Sequence, residues 1–134
     1  MTMQNRQASM YQKTAAYSGT MHADPHSLIT QMFDGALTRI AQSKGAMERS
    51  ETLQKAELIS KAIKIVGSLE GCLDHDKGGD LSQNLSKLYE YICLTLTQAN
   101  MYNDVTKLEE VSRLIQTIKS GWVQIPEQLK LAQV

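Results

Sequence analysis

The side chains best equipped for chemistry gather at one place, where Cys72, Asp74, His75, Asp76 and Asp80 surround the pair Gly78-Gly79. Read as a calcium loop beginning at Asp74, the stretch puts acids at positions one and three and Gly79 at position six. Gly78 then falls at position five and Leu85 at position twelve, where a bidentate glutamate is required. Cys72 and His75 have the spacing of a zinc half-site. No second pair stands near in sequence, however, and Cys93 is expected about three turns into the following helix. A phosphate cradle needs Lys-Ser or Lys-Thr after its glycines, whereas Asp80 follows Gly79 and would repel the phosphate. The three histidines are His22, His26 and His75, and no Gly-x-Ser-x-Gly or paired-carboxylate helix motif stands ready to use them. Asp74, Asp76 and Asp80 are therefore expected to terminate and cap helices, with no metal, no cofactor and no enzymatic activity.

The elements around that turn are helical. Only two prolines occur, Pro25 and Pro126, so nothing interrupts helices between them. Asp24-Pro25 reads as an N-cap followed by proline at the first helical position. Leu28/Ile29, Met32/Phe33, Ala36/Leu37 and Ile40/Ala41 then recur every four residues. A second helix carries one seam at Ala56, Ile59, Ile63, Val66 and Leu73, and another at Leu58, Ala62, Ile65, Leu69 and Cys72. The adjacent glycines stop it, and Asp80 with Gln83 suggests a capping box for a third helix. That helix has a narrow stripe from Leu81 to Ala99, with Tyr91 and Leu94 off the stripe. After Asn100–Asp104 a fourth helix keeps three-four spacing through Leu108, Val111, Ile115, Ile118 and Trp122. The expectation is an all-α protein: an antiparallel four-helix bundle over residues 24–125, with helices near 25–47, 52–73, 81–100 and 104–124. Residues 1–23, with four of the seven methionines, Tyr11 and Tyr17, read as an N-terminal arm, and 126–134 as a C-terminal tail.

Composition narrows the function. The 134 residues suit one domain, and 42% are apolar. Lys+Arg and Asp+Glu are 14 each, so no basic excess exists to neutralise nucleic acid or an anionic membrane surface. The longest uninterrupted apolar run, Tyr91–Leu94, is far short of a membrane span, and no secretory leader is evident, so a cytoplasmic location is expected. Cys72 and Cys93 read as reduced core thiols. What stands out is the width of the apolar arcs on the first two helices. Either these helices have two neighbours each, or the bundle leaves grooves open for another chain in the helix-in-groove mode. The pattern does not choose between them.

A series of ordered signatures carries a resemblance to a known family. They are Asp24-Pro25-His26-Ser27-Leu28-Ile29 through Met32-Phe33-Asp34-Gly35-Ala36, Leu73-Asp74-His75 with Gly78-Gly79, and Asn84-Leu85. Leu88-Tyr89-Glu90-Tyr91, Leu96, Gln98-Ala99-Asn100, Asp104, Glu110-Val111 and Trp122 follow. Together they resemble the flagellar export chaperone family FliS from about Ala16 to Trp122. Asp24 stands where the family commonly has Ser or Thr, and Gly121 where Ala is usual. The resemblance implies a cytoplasmic bundle that binds the unfolded C-terminal segment of flagellin, prevents premature polymerisation and delivers it to the export gate of the flagellar type III system. An anti-sigma factor or a flagellin-binding assembly factor would be secondary partners. The expected flagellin site lies in grooves beside the second, third and fourth helices: Ile59, Ile63, Ile65, Tyr91, Leu94 and Leu114, with Tyr17 from the arm. The alternative is a self-associating structural or regulatory bundle whose extra apolar faces form an oligomer interface.

Overall fold

The computed structural model describes residues 24–124. The arm 1–23 with Tyr17, and the tail 126–134, lie outside the described residues. Helix α1 spans Pro25–Glu48, α2 Thr52–Gly71, α3 His75–Tyr102 and α4 Val105–Gln124, and no strand occurs among the described residues. Each helix packs on the next, and α4 returns against α1, which closes a square, up-down-up-down ring. The long-range bonds run antiparallel: Lys119 near the end of α4 pairs with Asp34 in α1, and Ser86 of α3 donates to Glu70 of α2 at 2.9 Å. The expected all-α bundle is the observed one.

The helix starts follow the capping chemistry in the sequence. The Ser27 amide donates to Asp24 Oδ1 at 2.8 Å, and this bond holds the Asp24 carboxyl below its ordinary value of 3.8. Lowering the pH through that depressed value protonates the cap and removes its contribution. At the start of α4 the Lys107 amide reaches Asp104 Oδ1 at 3.4 Å.

The third helix departs from expectation. It begins at His75 and not at Leu81, because Asp74 Oδ1 accepts the amides of both Asp76 and Lys77 at 3.0 Å. The glycine pair does not separate two elements. Gly79, at φ 52° and ψ −126°, kinks the chain within the helical run, a conformation open to glycine because it lacks Cβ. Ser82 Oγ ties the two sides of the kink by donating to the Asp74 carbonyl at 3.0 Å. Asp74 thus starts a helix where a stop was expected. The connections are short, residues 49–51, 72–74 and 103–104, and the second is well under the seven residues between the expected helices 52–73 and 81–100. This predicts a contrast: Asp74→Ala should destabilise by about 1 kcal/mol in urea unfolding, with Asp80→Ala well under half of that.

The core gathers Ile29, Phe33, Ala36, Ile59, Leu69, Tyr89, Ile92, Leu96, Leu108, Val111 and Ile115, all fully or nearly fully buried. Burial pushes the Tyr89 phenol well above its ordinary range, so it stays neutral throughout the working pH range. The wide arcs of α1 and α2 are taken up within the ring, where the seam between these two helices is the most extensive of the four. At one edge of the α1–α4 seam the His26 ring stacks on Trp122, with centroids 5.2 Å apart, and Trp122 Nε1 donates to Thr30 Oγ1 at 3.2 Å.

Candidate partner-binding surface

The sequence-predicted surface residues separate into four groups. Ile59 and Ile65 are 1% and 4% exposed and belong to the core, so neither can present a groove in this conformation. The reason is geometric: α2 packs on both α1 and α3, and both of its apolar seams are consumed by those neighbours. Ile63 is partly buried on the α3 side of α2, where its carbonyl lies 3.9 Å from Cys93 Sγ. Tyr91 and Leu94 of α3 are 45% and 56% exposed, and Leu114 of α4 is partly buried against the core. Tyr17 falls among the residues not described.

Adjacent α3 and α4 leave a furrow between them, with Tyr91 and Leu94 exposed on α3 and Leu114 partly buried on α4. Tyr91 marks its direction, because its hydroxyl donates to Glu110 Oε2 of α4 at 2.6 Å. That bond to a carboxylate raises the phenol above its ordinary value of 10.0, so Tyr91 is a neutral donor at neutral pH. Because α3 and α4 run antiparallel, Leu94, one turn after Tyr91, and Leu114, one turn after Glu110, extend the apolar lining in opposite directions from that bond. Ile118, a further turn along α4, is also partly buried against the core and continues the wall.

Two furrow residues were missed from the sequence. Met101, expected in a turn, is still helical because α3 runs to Tyr102, and it stands two turns from Leu94 on the same face, 64% exposed. Glu110 carried no apolar signal, although its place four residues before Leu114 puts the two on one face. A second groove, of about 310 Å³ between α1 and α4, has Ile40 and Leu108 in its floor and the Lys44–Glu109 ion pair at its rim.

The chemistry available is that of recognition. Among the described residues no group of three or more His, Cys, Asp or Glu is placed to hold a metal ion. No described helix is long and apolar enough to cross a membrane. Cys72 is buried and Cys93 partly so, with no disulfide between them, and burial raises the Cys93 thiol above its ordinary value.

Comparison with known proteins places the fold in a lineage. Residues 4–129 match the family described as Flagellar protein FliS. The chain is 46% identical over 112 residues to the flagellar secretion chaperone FliSB of Pseudomonas aeruginosa, a match covering 84% of this chain and 89% of that one. It is 40% identical over 116 residues to the flagellar secretion chaperone FliS of Salmonella typhimurium, covering 86% of each chain. Against the flagellar secretion chaperone FliS of Vibrio cholerae it is 39% identical over 116 residues, covering 87% of this chain and 85% of the relative. The ordered helix caps, the ring of four helices and a family match that runs through nearly the whole chain lead to one assignment: this chain belongs to the FliS family, a family of flagellar export chaperones and not of enzymes.

Proposed function

We propose that this chain is a cytoplasmic chaperone that binds the disordered C-terminal segment of flagellin, keeps it from polymerising early and hands it to the export gate of the flagellar type III apparatus. The observation that carries the reading is the α3 wall of the α3–α4 furrow and the outer face beside it, where Tyr91, Leu94 and Met101 lie exposed, off the core stripe of α3. Single exposed apolar residues need no explanation, but a row at helical spacing on α3, next to an α4 that carries partly buried Leu114 and Ile118, offers an apolar surface along the helix. An unfolded amphipathic segment cannot bury its own apolar face. Laid in such a furrow it gains a partner surface, and the ordering entropy is offset at that moment.

The location follows from the same reading, since cargo must be held before export. Residues 1–23, with Tyr17, are assigned to an arm that competes with flagellin for the furrow. Deleting the arm should then tighten binding, unless Tyr17 itself contacts the cargo. An anti-sigma factor and a flagellin-binding assembly factor are the further partners the reading admits.

Titration calorimetry with a flagellin C-terminal peptide tests the proposal. The expected result is a negative heat-capacity change and an affinity that varies little with salt, because apolar burial dominates. A heat-capacity change near zero, or an affinity that collapses at moderate salt, would overturn it in favour of an electrostatic site. Concentration-dependent self-association in sedimentation, with no flagellin binding, would favour the self-associating bundle.

A further inference from the structure

The end of the bundle where the α1–α2 and α3–α4 connections meet contains a pocket of about 350 Å³, whose walls include Ala46, Met47, Thr52, Lys55, Asn103 and Val105. We propose that this pocket binds a carboxylate, with Lys55 as its cation. The proposal is independent of the flagellin reading and concerns the opposite end of the molecule from the His26–Trp122 stack.

Lys55 carries the argument. It is only 4% exposed, and a buried ammonium is costly unless its charge is met. Its Nζ donates to the Asn100 carbonyl at 2.9 Å and to Asn103 Oδ1 at 2.6 Å, both neutral acceptors at the end of α3. Those bonds lean on the negative end of the α3 dipole and account for two of the three N–H donors of a lysine. The third donor has no acceptor among the described residues, and no carboxylate there forms an ion pair with Lys55. Glu51, the acid on the pocket wall, is already engaged, since Arg49 Nε donates to its Oε1 at 2.6 Å.

The start of α2 adds to the same field. Its N-cap, Glu51, makes no side-chain cap bond, so the first-turn amides of Thr52, Leu53 and Gln54 keep their donors for a ligand or for water. The positive end of the α2 dipole lies there as well. An anion in the pocket would meet the Lys55 charge and those amides together. A monoanionic carboxylate fits better than a phosphate, because a second negative charge would face Glu51. Ala46, Met47 and Val105 supply an apolar wall for the aliphatic part of such an acid.

The test uses the ¹⁵N-labelled full chain at pH 7 and constant ionic strength, titrated with N-acetyl-leucine, N-acetyl-leucine amide and chloride. The expected result is saturable movement of the backbone amides of Ser50 through Lys55 and of Asn103 with the acid, and none with the amide or chloride. Lys55→Gln should weaken the acid's binding at least about tenfold, as expected for losing a charged hydrogen bond. Because Lys55 also secures the end of α3, Thr52→Glu serves as a second variant. It places a carboxylate in the first turn, where it favours helix formation, and should abolish the response while the spectrum stays folded. Equal movement with acid and amide, no saturable movement with the acid, or unaltered binding in folded Thr52→Glu would overturn the proposal.

Discussion

Replacing Phe33 by alanine is expected to destabilise the protein by about 3–5 kcal/mol, which would lower the urea midpoint while leaving the slope of the transition unchanged. The chain has a single phenylalanine, 1% exposed, and after Tyr89 it is the largest fully buried side chain among the described residues. Its helix packs on both α2 and α4, so a cavity here removes contacts from the one element that joins the start of the ring to its end. A domain of this size is stable by only about 5–15 kcal/mol, so the variant should be partly unfolded at temperatures the parent tolerates. A loss below about 1 kcal/mol would mean that α1 does not bury this position in solution.

Leu94→Asp is expected to act in the opposite way, leaving the fold alone and removing function. The side chain is 56% exposed, and a surface substitution of this kind stays within about 0.5 kcal/mol of the parent. On the flagellin reading it sits in the furrow, and a charge buried there against an apolar cargo should weaken peptide binding at least about thirtyfold, a hot-spot loss of about 2 kcal/mol. Leu53→Asp is the control. Leu53 is 83% exposed but lies in the first turn of α2, away from the furrow, and its change should alter affinity less than twofold. Equal losses from both variants would indicate that net charge, not the furrow, governs binding.

The contrast between these positions shows what the sequence made legible. Periodicity found all four helices, and Asp24, Pro25 and Asp104 fixed the starts of α1 and α4, because caps are local and readable from a few residues. The Gly78-Gly79 pair misled, since two glycines are equally compatible with a break and with a kink. The choice was made by Asp74, whose carboxylate collects two amides, and by Ser82 reaching back across the kink. Exposure was harder still. Ile59 and Leu94 are both large apolar residues at helical spacing, yet one is buried and the other open, because that depends on which helices close the ring. Tyr91 was recoverable because it fell off the stripe. Met101 was not, because its face became clear only once α3 was seen to continue past Asn100.

The stack of His26 on Trp122 gives the molecule an optical reporter of its own. Trp122 is the chain's sole indole, 4% exposed, so all tryptophan emission comes from the α1–α4 seam. Asp24, which caps α1, and Gln124, the last residue of α4, lie within a few residues of that ring, so the start of α1 and the end of α4 meet at one edge of the bundle. Any event that draws either terminus outward strains one side of the stack or the other. His26 Nε2, enclosed without a hydrogen-bond partner among the described residues, lies in the ring stacked on the fluorophore. Loosening of the seam would therefore admit water to the indole and shift its emission to the red. Filling of the furrow around Leu94 and Met101, toward the opposite end of the bundle, would leave the colour unchanged. A single unlabelled spectrum can thus distinguish cargo seated in the furrow from movement at the chain ends.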